Sequence, residues 1–202
     1  MKKRRDTYHH GNLAESLLEA VDETATRFGL EAVTLRGCAK LAGVSPSSAF
    51  RHYADKRALM TAFATRALLQ LSEAMVRARA DADAVHEDAF LAVGLAYVRF
   101  ALDKPAFFRA MWREEALYTS DERYVEAANR LGAHLRSGFV GSIDDEDPTR
   151  LGAEELLAWS SVHGLANLFV DGPVGNGEST ERRLERARAM LEASAPVFAR
   201  RS

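Results

Sequence analysis

The sequence predicts an all-α fold in two parts, an N-terminal three-helix unit built around a helix-turn-helix and a longer helical C-terminal part. Three observations predict it. Apolar residues recur at three- and four-residue spacing through most of the 202 residues. Ser, Thr, Asp, Gly and Pro stand where helices start and stop. No internal repeat, low-complexity tract or strand-like alternation of useful length interrupts the pattern.

In chain order, Leu13, Leu17, Val21, Ala25 and Phe28 lie on one face of a first helix that ends at Gly29. Residues 34–56, TLRGCAKLAGVSPSSAFRHYADK, then carry two short helices. Thr34 is placed to cap the first, whose inner face is Leu35, Cys38, Ala39 and Leu41, and Gly43 supplies the left-handed stop. Val44 plugs the turn. Ser45 caps the second short helix and Pro46 takes its first position, where a missing N–H costs nothing. Ala49, Phe50 and Tyr53 are expected to face inward; Ser47, Ser48, Arg51 and His52 are expected to face out, as a recognition helix in a major groove requires. On spacing alone, a plain helical hairpin is the alternative.

Downstream, Asp55 caps a long fourth helix beginning at Lys56, with Met60, Phe63, Ala67, Leu71 and Met75 as its apolar stripe and a polar break at residues 81–84. Phe90, Val93, Ala96, Tyr97 and Phe100 mark a fifth helix, residues 104–115 a sixth starting near Pro105, and residues 124–140 a seventh. After an acidic turn at residues 144–148, the helix over residues 153–169 is apolar nearly all round, through Leu156, Leu157, Trp159, Val162, Leu165, Leu168 and Phe169. Such a helix must be covered on several sides. Residues 172–177, GPVGNG, follow a helix and not a strand, so they read as an interhelical loop. A last helix over residues 180–200 presents Leu184, Ala187, Leu191 and Phe198 on one face. The division expected is residues 1–55 for a DNA-binding domain with a basic arm and residues 56–202 for a domain that binds a ligand and dimerises.

Residues from about Asn12 to Phe63 resemble the TetR/AcrR-type transcriptional regulators. The match rests on the first helix, Phe28-Gly29-Leu30, the Thr before the second helix, AGVS at residues 42–45 and FRHYADKRAL at residues 50–59. The family usually has tyrosine at the position of Phe50, and its hydroxyl helps hold a phosphate, so the resemblance implies one contact fewer here. Trp159, His163 and Gly164, in AWSSVHG, resemble the W-x-x-x-H-G signature of one C-terminal subgroup. The resemblance also implies a two-fold dimer through the last two helices, for which burial within one subunit is the alternative.

Chemistry divides the motif into roles. Thr34, Lys56 and the adjoining helix N-termini suit phosphate, with His52 a further phosphate candidate. Arg36, Ser47, Ser48 and Arg51 suit base edges. With Ser45 and Tyr53 they make up the candidate DNA-binding set. Charge agrees: the chain carries a net −2, yet the first 57 residues hold ten Lys and Arg against seven Asp and Glu, a net +3, leaving −5 for the rest. Lys2, Lys3, Arg4 and Arg5 form either an arm for the DNA backbone or a solubilising terminus.

The C-terminal part concentrates large side chains. Phe90, Tyr97, Phe100, Phe108, Met111, Trp112, Trp159 and His163 are the candidate ligand-binding residues, with core packing as the alternative for each. Trp159 and His163, one turn apart, offer a stacking plane and a hydrogen bond. The single cysteine, Cys38, reads as a small packed residue, with a redox sensor as the alternative.

The chain shows no HExxH, paired-cysteine, Walker or GxSxG pattern, so no catalytic residue, metal site or cofactor is expected; His9-His10 is a weak metal suggestion. No apolar run of about 18 residues occurs and the basic N-terminus does not lead into an apolar stretch, so a cytoplasmic location is expected. The expectation is a repressor bound as a homodimer to a palindromic double-stranded operator and released by a small apolar or amphipathic effector. A helical enzyme or an adaptor without DNA binding is the alternative.

Overall fold

The computed structural model describes residues 13–85, 88–136 and 152–198. Among these, the elements in order are α1 (Leu13–Phe28), a 3-10 turn (Leu30–Ala32), α2 (Leu35–Leu41), α3 (Pro46–His52), α4 (Lys56–Val85), α5 (Ala89–Asp103), α6 (Pro105–Met111), a second 3-10 turn (Glu114–Ala116), α7 (Glu122–Arg136), α8 (Ala153–Val170) and α9 (Thr180–Phe198). The fold is all-α. The basic arm, His9-His10 and the acidic turn lie outside the described residues.

The predicted caps of the N-terminal unit are present. Thr34 Oγ1 accepts from Gly37 N–H at 3.0 Å, and Ser45 Oγ accepts from Ser48 N–H at 3.1 Å. Gly43, at φ 71°, stops α2, and the N–H of Val44 returns to the Ala39 carbonyl at 2.9 Å, closing a Schellman-type end. Asp55 Oδ1 accepts the Ala58 N–H at 2.8 Å and so starts α4. Leu17, Val21, Ala25, Leu35, Cys38, Ala39 and Ala49 bury together, which makes Cys38 a packed residue as expected.

Three inward assignments are corrected. Phe28 is 68% exposed, Leu41 48% and Phe50 44%. Phe28 and Leu41 are the last residues of their helices; periodicity fixes the angle of a side chain, not whether a neighbouring element reaches that far. Phe50 lies about 100° round α3 from the fully buried Ala49, which puts its ring on the border of the exposed face.

Two boundaries also differ. Residues 81–84 do not break α4, which continues to Val85 with Ala82 buried; Asp and Ala carry no helix-stopping geometry. The sixth helix ends at Met111, because the chain turns through the 3-10 segment to bury Leu117 completely.

α4 is the axis of the molecule, packed on α5, α6 and α7, while α5 carries α8 and α9 on its other side. Phe63 stacks on Phe107 with centroids 4.3 Å apart and rings 14° from parallel, joining α4 to α6. The all-round apolar character of α8 divides into two faces. Val162, Ala166 and Phe169 are buried inward, whereas Leu156, Leu157 and Leu168 are about half exposed outward. Residues 172–177 join α8 to α9 as a loop, with Gly175 at φ 78° and its carbonyl held by Arg183 Nε and Nη2 at 3.0 and 2.8 Å.

Candidate nucleic-acid interface and ligand cavity

The start of α3 is organised by serine hydroxyls. Ser45 Oγ lies 2.9 Å from Ser47 Oγ and 2.8 Å from Ser48 Oγ, and Arg51 Nη2 donates to Ser48 Oγ at 3.2 Å. Ser45, Ser47, Arg51 and His52 are exposed, with Ser48 half-buried among them; Arg36 and Thr34 are exposed on α2. The structure thus links Ser45, Ser47, Ser48 and Arg51 in one hydrogen-bonded polar cluster on α3, beside the half-exposed ring of Phe50. Tyr53 is placed differently. It closes α3 through its N–H to the Ala49 carbonyl at 3.0 Å, is half-buried against the core, and burial pushes its hydroxyl pKa up.

Lys56 is half-buried, and its Nζ donates to the carbonyls of Leu30 at 3.3 Å and Glu31 at 3.2 Å. Two of its three donors thus tie α4 to the turn before α2, and one remains. A second tie comes from the α6–α7 connection. Arg57 Nε donates to Leu117 O at 2.8 Å, Tyr118 N–H to Thr61 Oγ1 at 2.9 Å, and Tyr118 O–H to Asp55 Oδ2 at 2.6 Å. The Tyr118 hydroxyl, helped by the Ala58 N–H, holds the Asp55 carboxyl below the usual carboxylate range. None of these ties was legible in the sequence, since the partners lie 25 to 63 residues apart.

Among the helices of the C-terminal part is a narrow cleft with a cavity volume of about 40 Å³. Met75 and Arg79 of α4, Phe90, Val93, Gly94 and Tyr97 of α5, His134 of α7, and Glu155, Ala158, Trp159 and Val162 of α8 line it. Phe90, Tyr97 and Trp159 were expected there. Phe100 and Met111 do not line it; both are buried in the core, where they pack between helices. Arg79, His134 and Glu155 were missed. The available signal was the four-residue step from Met75 to Arg79 and from Glu155 to Trp159, which puts each pair on one helix face.

His163 does not line the cleft either but organises the aromatic wall behind it. Its ring centroid lies 4.9 Å from Trp112, 5.5 Å from Phe108, 6.1 Å from Trp159 and 6.3 Å from Tyr97. Tyr97 Oη is 2.8 Å from His163 Nδ1. Burial pushes the Tyr97 hydroxyl pKa far up, so it stays protonated, and the His163 tautomer sets which of the two groups donates. The buried indole N–H groups of Trp159 and Trp112 oppose that shift, and neither makes a hydrogen bond.

Burial lowers the His163 pKa, and burial, followed by Arg130 and Arg79, lowers that of His134. The unfolded chain therefore takes up protons more readily than the folded one as pH falls through about 6.5. Stability is expected to be full above that pH and to decline below it, levelling out once the folded-state values are passed. Thermal melts between pH 7.5 and 5 check this: His163→Asn, which keeps an acceptor for Tyr97, should flatten the decline in part. A profile of unchanged slope would exclude the His163 contribution.

A helix-turn-helix with an exposed polar second helix, joined by one long helix to a helical domain holding an aromatic-lined cleft, defines a DNA-binding regulator. Residues 17–63 match the bacterial regulatory proteins of the tetR family, and residues 90–191 match the tetracyclin repressor-like C-terminal domain. The chain belongs to the TetR family and is a DNA-binding transcriptional regulator. Similar solved structures include a protein with unknown function from Rhodococcus sp. RHA1, 27% identical, covering 93% of this chain and 98% of that one at a TM-score of 0.69. A TetR family transcriptional regulator from Thermus thermophilus is 20% identical, over 95% of this chain and 97% of that one, at 0.61. A TetR family transcription regulator from Marinobacter aquaeolei is 20% identical, over 90% and 94%, at 0.55. A comparison with curated proteins returns no match. No described helix is long and apolar enough to cross a membrane.

Proposed function

We propose that the chain is a repressor that binds a palindromic operator as a homodimer and leaves it when a small apolar or amphipathic molecule enters the cleft. The observation that carries the reading is the course of α4. This 30-residue helix, about 45 Å long, starts beside the recognition unit at Lys56 and lines the cleft at Met75 and Arg79. A molecule that fits only one placement of α4 changes the spacing of two recognition helices by its differential affinity for that placement.

Dimerisation is assigned to α8 and α9. Leu157, Ser161, Gly164 and Leu168 recur along one outward stripe of α8, with Leu157 and Leu168 about half exposed and open space beyond Gly164. A stripe of apolar ends and a small middle suits close packing of two copies. In this reading Arg36, Ser47, Ser48 and Arg51 read bases, Thr34 and His52 contact phosphate, and Phe50 packs beside them. Lys56 and Ser45 chiefly set the frame, Lys56 by tying α4 to the turn before α2 and Ser45 by capping α3. Tyr53 contributes by packing.

Selection of bound sequences from random duplex DNA, at two salt concentrations, tests the reading. A palindrome with half-sites about 34 Å or more apart is expected, bound more weakly at higher salt. Arg51→Ala should relax the base preference at one position of each half-site, whereas Lys56→Ala should weaken all sequences alike. Enrichment of no sequence at either salt would overturn the proposal.

A further inference from the structure

We propose that the effector is a ring-bearing apolar molecule carrying an O–H or N–H donor, and that Glu155 selects it. The inference rests on the cleft being the effector site. Glu155 is the buried carboxylate in its lining, only 3% exposed. Its Oε2 accepts the Gly152 N–H at 2.8 Å and so starts α8. Its Oε1 is sealed from solvent and accepts no hydrogen bond.

A buried carboxylate oxygen left without a donor costs free energy that a ligand can recover by supplying one. The surrounding surface is apolar and aromatic, through Met75, Phe90, Tyr97, Trp159 and Val162, which calls for a flat hydrocarbon body. Arg79 and His134 also line the cleft, so the donor end is met by a mixed polar edge and not by a purely acidic one. A carboxylate ligand would set its own charge against Glu155. The arrangement thus discriminates by donor against acceptor, the kind of difference that leaves one buried polar group satisfied or orphaned.

Titration of the full-length protein with benzyl alcohol, benzylamine, toluene and benzoate, followed by calorimetry and by tryptophan fluorescence, tests this. Benzyl alcohol or benzylamine should bind about tenfold or more tightly than toluene, with benzoate weakest. Glu155→Gln keeps an acceptor for the Gly152 N–H, as glutamine does in capping boxes, but turns a donor toward the cleft. The ranking should then invert toward benzoate. An unchanged ranking in Glu155→Gln, or no preference for donors in the wild-type chain, would overturn the selection by Glu155 while leaving the cleft as a binding site. If none of the four probes binds, both this inference and the effector reading of the cleft fail. The wild-type ranking decides the matter even where the variant does not fold.

Discussion

Placing charge on the outer stripe of α8, as Leu157→Glu with Leu168→Glu, is expected to yield a folded monomer whose operator affinity is about 100-fold or more below that of the wild type. Both side chains are about half exposed in the single chain, so the substitutions bury no charge within one copy and should leave its stability within about 0.5 kcal/mol. In a dimer the same positions would place four carboxylates in an apolar seam, which cannot form while they are ionised. A single recognition helix then loses the effective concentration that a tethered second one supplies. Sedimentation and DNA titration at one salt concentration check the two halves together. A variant that stays dimeric would move the interface away from α8, and a monomer that binds operator with full affinity would remove the need for the dimer.

The second large effect is expected inside the molecule. Phe63→Ala should destabilise the chain by about 3–5 kcal/mol, because the ring is completely buried and stacked on Phe107 at 4.3 Å. The void would open where α4 meets α6, close to the ties among Asp55, Arg57, Thr61 and the connection at Leu117 and Tyr118. Phe63→Leu, which keeps much of the volume, should lose clearly less. Denaturant unfolding of both variants measures the difference. A loss below about 1 kcal/mol for Phe63→Ala would mean that the site closes over the missing ring and that the stack carries little of the stability.

The local half of the fold was written in residue type and spacing. Thr34, Ser45 and Asp55 cap where their short oxygen-bearing side chains predict, and Gly43 takes the left-handed turn its missing Cβ permits. These are interactions among neighbours three or four residues apart, so a linear reading reaches them. The polar residues 81–84 misled that reading because polarity marks an exposed face and does not by itself end a helix.

The candidate site was legible only in part for the same reason. The exposed serines and Arg51 of α3 follow from its period, and Phe90, Tyr97 and Trp159 from the abundance of rings. Which large side chains reach the cleft does not follow: Phe100 and Met111 share the same helical surplus yet are enclosed by neighbouring helices. Nor does the role of Lys56, whose ammonium is drawn to carbonyls 25 and 26 residues earlier in the chain.

The sequence by itself determined the helices, their caps, the recognition turn and the family, because each is specified by short-range stereochemistry and by ordered motif residues. Only the tertiary structure decided that Tyr97 meets His163 across 66 residues, that Asp55 meets Tyr118, and that Glu155, in the lining of the cleft, keeps a buried oxygen without a donor. Such pairings depend on how distant helices pack, and many packings are compatible with the same apolar stripes.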